Sequence, residues 1–334
     1  MPADAPTSAR EEILEPLLPI CDPHHHLWHF PDSRYLLEDL LADIGDGGHK
    51  VESTVFVECT AFYRARGPEA MKVVGETEFV AGVAAMADSG RYGPVSACEA
   101  IVGRADLSLG SAVDVVLKAH IAAAGGRFRG IRHAGGWDAS GEVRNSHTEP
   151  TEHLYLELKF REGFARLAPN GLSFEAWQYH TQLPDLLDLA RAFPETKIML
   201  DHVGGPLGIG PYAGRRDEIF QDWRSNIRAL GQCPNVWVKL GGLGMAICGF
   251  EHHRRAVLPD SAELAEAWRP YIETCIEAFG AERGMFESNF PVDKVSCSYE
   301  ALWNAFKRIA SGASAAEKAR LFKGGARDFY RMDA

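Results

Sequence analysis

Eight short runs rich in apolar and β-branched residues recur along the chain, and helical patterns lie between several of them. The predicted strands are Ile20–Asp22, Ser53–Glu58, Val80–Met86, Phe128–Arg132, Ser173–Gln178, Lys197–Asp201, Val236–Leu240 and Gly284–Glu287. Strands that alternate with helices predict a parallel sheet. Eight such units in 334 residues fit a closed barrel better than an open sheet. The sequence therefore predicts an α/β protein with a (β/α)8 TIM barrel.

Helical periodicity fills most of the intervals between these strands. The predicted helices are Gly67–Thr77, Ser111–Ala124, Leu183–Ala192, Ile219–Gly231, Ser261–Phe279, Tyr299–Ala310 and Ala315–Tyr330. The last helix is expected to close the floor or the wall of the barrel. Residues 1–14 are polar and rich in Pro and Ala, which favours a flexible N-terminal arm. Because no repeat or linker divides the rest, residues 15–334 are predicted to form one domain.

Three connections are longer than a barrel needs: residues 134–171, 204–222 and 241–259. Each of them follows a predicted strand, so in a barrel they lie over the catalytic mouth. Long loops at that end usually shape a substrate pocket or a lid.

Charge and cysteine content restrict the classes of partner. The chain carries 35 basic and 46 acidic residues, a formal net charge of -11, which disfavours nucleic acid and anionic membranes as partners. Its 7 cysteines are scattered, without a CxxC pair, and are typical of free thiols in a reducing compartment. With neither a signal-peptide pattern nor a long apolar run, we expect a cytoplasmic protein that acts on a small molecule.

The run Asp22-Pro23-His24-His25-His26 at the end of the first predicted strand is the sharpest chemical signal. Alternate side chains of an extended strand face the same way, so His24 and His26 should point together into the barrel mouth. Two neutral imidazoles on one face make half of a divalent metal site. The alternative is a structural histidine cluster.

Later strand ends also carry polar groups that suit a catalytic site. The fifth predicted strand runs into His180, the sixth ends at Asp201-His202, and the eighth is followed by Asn289 and Asp293. A single histidine is a weak signal, but histidines at several C-terminal strand ends indicate an active site, because barrel enzymes place it there.

Three segments resemble the amidohydrolase-related hydrolases: DPHHHLW near the start, MLDHVGGP in the middle and MFESNFPVD near the end. This branch of the family includes fuconolactonase-like, sulfomuconolactone and pyrone-dicarboxylate lactonases, and the resemblance spans about residues 20–330. It implies that His24 and His26 match the family's paired strand-one histidines. It also implies that His180 and His202 match the histidines of strands five and six.

The sequence departs from the family at strand eight, where Asn289 replaces the usual aspartate, which is both metal ligand and general base. Asn cannot take up a proton at neutral pH, although its oxygen can still bind a metal or a water. The carboxylate could come instead from Asp293 or Glu58, and His202 is another possible base.

The resemblance leaves two possibilities for a cofactor. One divalent ion, zinc or manganese, would be held by His24, His26 and His180. Some lactonases of this kind work without a metal, and a metal-independent site is equally compatible with the residues. The family's carboxylated lysine on strand four is absent from Arg127–His133, so at most one ion is expected.

Basic groups near the predicted mouth are candidates for substrate binding. Arg132 and His133 end the fourth strand, where a guanidinium would pair with a substrate carboxylate. Lys239, among apolar neighbours in strand seven, should find a buried partner or anchor a carboxylate, and Glu58 could also contact the substrate. For Arg132 and Lys239, a structural ion pair is an equally good interpretation.

These features predict a hydrolase, most simply a lactonase or related carboxylic-ester hydrolase with a carboxylated or lactone substrate. Two alternatives stay open: a non-oxidative decarboxylase of an aromatic or muconate-like acid, and a barrel that binds a ligand without catalysis. The oligomeric state also stays open, and a homodimer through the outer helices is one arrangement.

Overall fold

The computed structural model describes residues 8–332 and contains an eight-stranded sheet in which every neighbouring pair of strands is parallel. Its strands are, in spatial order, β1 (Ile20–His25), β4 (Val51–Val57), β5 (Ser96–Arg104), β6 (Phe128–Arg132), β7 (Ser173–Ala176), β8 (Ile198–Leu200), β9 (Val236–Leu240) and β10 (Gly284–Phe286). A parallel bridge between His25 and Phe290 brings the first and last strands together. The predicted (β/α)8 barrel is confirmed.

Helices surround the strands, and a short antiparallel hairpin follows β1. The hairpin consists of β2 (Trp28–Phe30) and β3 (Ser33–Tyr35). The helices are α1 (Leu37–Gly47), α2 (Val74–Asp88), α3 (Asp114–Ala123), α4 (Leu158–Phe164), α5 (Leu183–Ala192), α6 (Arg216–Gly231), α7 (Ser261–Phe279), α8 (Tyr299–Ile309), α9 (Ala315–Ala319) and α10 (Gly325–Tyr330). None of the helices described is long and apolar enough to cross a membrane.

The third predicted strand, Val80–Met86, is wrong, whereas the other seven overlap barrel strands. That segment belongs to α2, and the third barrel strand is β5. The buried residues of α2 include Val80, Val83, Ala84 and Ala87. Their spacing follows one face of a helix, so packing against the barrel selects the helix over the β-propensity of the valines.

The predicted role of the last helix at the barrel floor is confirmed. Ala326, Phe329 and Tyr330 of α10 pack in one apolar cluster with strand residues that include Val55 and Met199. This cluster fills the barrel below the strand ends. The layer above it is therefore left for polar side chains.

Residues 1–7 of the predicted arm lie outside the described residues, and the rest of it contacts the barrel. Arg10 Nη1 donates to Glu300 Oε2 at 2.9 Å, and the Leu14 amide donates to Asn304 Oδ1 at 2.9 Å. These bonds hold residues 10–14 against α8.

Replacing Gly163 of α4 with Ala should destabilise the fold by about 1–3 kcal/mol, because the added methyl group would overlap the backbone carbonyl of Leu107. Gly82 of α2 is the matched control. A methyl group there meets no atom within 4 Å, so Gly82→Ala should be neutral or stabilising by up to about 1 kcal/mol. Urea unfolding measures the free energy of unfolding of both variants. Equal values for Gly163→Ala and Gly82→Ala would contradict the packing described.

Candidate active site

His24 of β1 and His26, which directly follows this strand, lie side by side at the barrel mouth. Nε2 of His24 and Nε2 of His26 are 3.3 Å apart, and both rings are buried. His26 Nδ1 lies 2.8 Å from the carbonyl oxygen of Val57, which can only accept, so His26 carries its proton on Nδ1. Burial lowers the pKa of His26 to about 3, which keeps this imidazole neutral. His25 faces the other way and contacts the Thr54 hydroxyl at 2.8 Å.

His202 joins this pair from the end of β8. Its ring centroid lies 4.5 Å from that of His24, and the indole of Trp177 packs edge-on against it at 4.8 Å. His202 Nδ1 lies 2.7 Å from Glu287 Oε1. Three imidazoles from the first and sixth barrel strands therefore meet at one place.

Glu287, at the end of β10, is part of this centre although the sequence analysis did not select it. Its Oε2 lies 2.9 Å from His24 Nδ1, and the residue is fully buried. The sequence analysis assigned the strand-eight position to Asn289. The available signal was that residue 287 directly follows the strand, whereas Asn289 has a φ of 54° and no longer continues the alternation of side chains.

A buried ion network lies beneath the histidines. Lys239 Nζ lies 2.5 Å from Glu175 Oε2, 3.1 Å from Asp201 Oδ1 and 3.1 Å from His24 Nδ1. Burial opposes the charge on Lys239, but Asp201 and Glu175 outweigh it and raise the pKa of the lysine. Burial and the Lys239 charge lower the pKa of His24 well below its usual value. Lys239 thus has the buried partners that its sequence context predicted.

Arg132 is bound to the protein's own carboxylates. Its Nε donates to Glu58 Oε1 at 2.8 Å, and its Nη1 lies 3.5 Å from Asp201 Oδ2. Burial opposes ionisation of Glu58, but Arg132 and His147 hold the pKa of that carboxyl well below its usual range. The structure thus shows the ion-pair interpretation of Arg132, and a contact of Arg132 or Glu58 with substrate stays a prediction.

Two predicted histidines lie away from the centre. His180, four residues past the end of β7, accepts the Leu207 amide at Nδ1 (3.3 Å) and packs edge-on against Tyr212. His133 accepts the Leu107 amide at Nδ1 (3.2 Å), so this ring nitrogen is engaged with the backbone. Because the chain turns after each strand, these side chains serve the surrounding loops. His180 is not among the residues whose ligand atoms the structure brings together, and its role as a third metal ligand stays a prediction.

Asn289 and Asp293 bind each other. Asn289 Nδ2 donates to Asp293 Oδ1 at 2.8 Å, and the Gly244 amide donates to Asp293 Oδ2 at 2.9 Å. Burial raises the pKa of Asp293 to about 7. The pair therefore ties the end of β10 to the loop after β9.

A groove of about 720 Å³ opens beside the mouth, between the β2–β3 hairpin, α1 and the segment after β10. Trp28 and Phe290 are among its lining residues. The Trp28 ring also stacks on His26 with a centroid distance of 6.1 Å. Trp28 thus contacts both the groove and the imidazole cluster.

Comparisons with known proteins agree with this architecture. An amidohydrolase family model matches residues 21–332. The uncharacterized protein y4mH of Sinorhizobium fredii is 34% identical over an alignment of 335 positions. The alignment covers 94% of this chain and 98% of y4mH. The chain belongs to the amidohydrolase family. An L-fucono-1,5-lactonase of Burkholderia multivorans is 28% identical over 177 residues, covering 53% of this chain and 57% of the lactonase.

Solved structures share the fold of this family member. A zinc-bound amidohydrolase of Burkholderia multivorans has a TM-score of 0.70 and 22% identity, covering 93% of this chain and 99% of that one. A 5-carboxyvanillate decarboxylase of Novosphingobium aromaticivorans, complexed with manganese, has a TM-score of 0.61 and 14% identity. The match covers 95% of this chain and 97% of the decarboxylase chain. The fold is therefore common to hydrolases and decarboxylases.

The donors present fit a single divalent ion. Within residues 8–332, His24, His202 and Glu287 are the one group of three whose ligand atoms lie within 4.8 Å of one another. Glu287 Oε2 and both Asp201 carboxylate oxygens are buried and lie in ion pairs, but none of the three accepts a hydrogen bond. Neutral imidazole and carboxylate oxygen suit zinc or manganese.

Lys239→Met should destabilise the protein by about 3–5 kcal/mol, because Glu175 and Asp201 would lose the cation that compensates them in the interior. Lys50→Met is the control. Lys50 is half exposed and pairs with Glu52 at the surface, so its loss should cost about 1 kcal/mol or less. Chemical denaturation measures the free energy of unfolding of both variants. A Lys239→Met variant as stable as Lys50→Met would contradict the network.

Proposed function

We propose that the protein hydrolyses a cyclic carboxylic ester, a lactone, at the centre formed by His24, His26, His202 and Glu287. The observation that carries this proposal is the convergence of three imidazoles and a carboxylate at the C-terminal strand ends. Barrel enzymes place their chemistry at that end. The L-fucono-1,5-lactonases among the relatives support the choice of a lactone.

In this reaction, water adds to the carbonyl carbon and its proton passes to an imidazole of the cluster. The ring C–O bond then breaks, and the proton goes to the departing alkoxide, which gives a hydroxy acid. Lys239 and Arg132 lie within 3.4 Å of His24 nitrogens and supply fixed positive potential where the carbonyl oxygen gains charge. Their own carboxylate partners hold them in place.

His24, His202 and Glu287 would hold a divalent ion, zinc or manganese, with at most one ion per chain. A bound ion supplies a Lewis acid and a water of lowered pKa. The same three side chains also serve a metal-independent reaction, in which a ring nitrogen accepts the proton directly. Elemental analysis of the purified protein, with turnover before and after chelation, separates the two routes.

The engagement of both buried cations favours hydrolysis over decarboxylation of a carboxylated aromatic. When no metal ion is bound, a decarboxylase needs a side-chain cation that is free to hold the carboxylate of its substrate. Lys239 is bound by Glu175 and Asp201, and Arg132 by Glu58 and Asp201. A small neutral lactone has no carboxylate group, so its binding needs no free side-chain cation.

A panel of five- and six-membered lactones, including those of sugar acids, tests the proposal by acid release at constant pH. His202→Asn should lower kcat/KM by about 10²–10⁴-fold, because an imidazole that handles the proton is lost. His180→Asn is the matched control and should stay near the wild-type value, since His180 lies outside the cluster.

Release of CO2 from aromatic or muconate-like acids, without acid release from any lactone, would replace the proposal by the decarboxylase alternative. Tight ligand binding without turnover of either class would favour the non-catalytic alternative.

A further inference from the structure

The end of β10 presents two polar side chains, and they face different partners. The Asn289 amide group binds Asp293, as described above, and its backbone N–H donates to the His24 carbonyl at 2.9 Å. The Glu287 carboxylate contacts the imidazoles of the centre instead. The carboxylate of this strand end therefore lies two residues before the position at which the family pattern has its aspartate.

Glu287 connects the first and sixth barrel strands through a single carboxylate. Its Oε1 lies 2.7 Å from His202 Nδ1 and accepts the His202 backbone amide at 3.2 Å. Its Oε2 lies 2.9 Å from His24 Nδ1. A carboxylate this close to Nδ1 stabilises a proton on that nitrogen, so Nε2 of His202 becomes its free nitrogen.

The backbone after β9 is shaped to admit this contact. A Cβ atom on Gly241 would lie 2.5 Å from Glu287 Cγ, and one on Gly242 would lie 2.5 Å from His202 Cγ. Gly242 also has a φ of 69°, in the region that favours glycine. Two adjacent glycines thus leave room for the acid and for the imidazole that it holds.

We propose that Glu287, and not residue 289, is the carboxylate of the strand-eight end, and that its Oε1 positions His202 while its Oε2 is the oxygen available to an ion. It holds the Nδ1–H form of the ring and presents Nε2 to the mouth, where a reacting water or a metal ion would be bound. Asn289 and Asp293 shape the loop. The expected effect of Glu287 on turnover rests on the proposed lactone hydrolysis. Its expected effect on the Nδ1 proton of His202 does not.

Turnover of the best lactone tests the positioning role. Glu287→Gln keeps the size of the side chain and removes its charge, so kcat should fall about 10–10³-fold with KM within about threefold. Glu287→Asp, which retains a carboxylate, should recover part of the loss.

Glu287→Gln/Asn289→Asp should remain as slow as Glu287→Gln, because residue 289 faces Asp293. Glu300→Gln, which alters a buried glutamate of α8 bound to Arg10, is the matched control and should leave kcat unchanged.

Histidine ¹⁵N–¹H NMR tests the same contact without substrate. Wild type and Asn289→Asp should show a low-field proton on His202 Nδ1, and Glu287→Gln should move this signal upfield because a charge-assisted hydrogen bond is weakened. If no lactone is turned over, the proposed function fails while this measurement still decides the role of Glu287. A His202 signal that is absent from wild type or unchanged in Glu287→Gln would overturn the inference, as would full recovery of turnover in the double variant.

Discussion

The candidate active site depends on a buried network of opposite charges that joins the upper ends of the barrel strands. Lys239 of β9 pairs with Glu175 of β7 and with Asp201 after β8. Arg132 of β6 pairs with Asp201 and with Glu58 after β4. Charges so deep in a protein are strongly unfavourable unless they are paired, so each carboxylate fixes the position of a cation on a neighbouring strand. The network thereby fixes the relative positions of the strand ends that carry the histidines.

The network also determines the electrostatic state of the cluster above it. The cations beside His24 and the burial of its ring keep that imidazole neutral, which is the form that can accept a proton or bind a metal. The Tyr330 hydroxyl of α10 donates to Glu175 Oε1 at 2.7 Å, so the C-terminal helix supports the same network from the barrel floor. The network therefore supports both the barrel interior and the position of the candidate site.

Sequence reasoning recovered the barrel, most of its helices and the pairing of His24 with His26, because these depend on periodicity and on the alternation of side chains along a strand. It misplaced the third strand, since the short apolar run at residues 80–86 satisfies both helix and strand preferences. It selected His180 and overlooked Glu287, because the direction of a side chain beyond a strand end depends on loop geometry. Glu175 was also missed and Asp201 was noted only beside His202, because buried carboxylates carry no periodic signal.

The central claim is that a lactone carbonyl binds at the imidazole cluster inside the barrel. A crystal structure of the protein with an unreactive lactam analogue of its best lactone tests this claim most directly. The account predicts the analogue's carbonyl oxygen within hydrogen-bond distance of His24 or His202, with Trp28 displaced or in contact with the ring. An analogue found only in the outer groove beside Tyr35 and Lys294, with the imidazoles untouched, would contradict it.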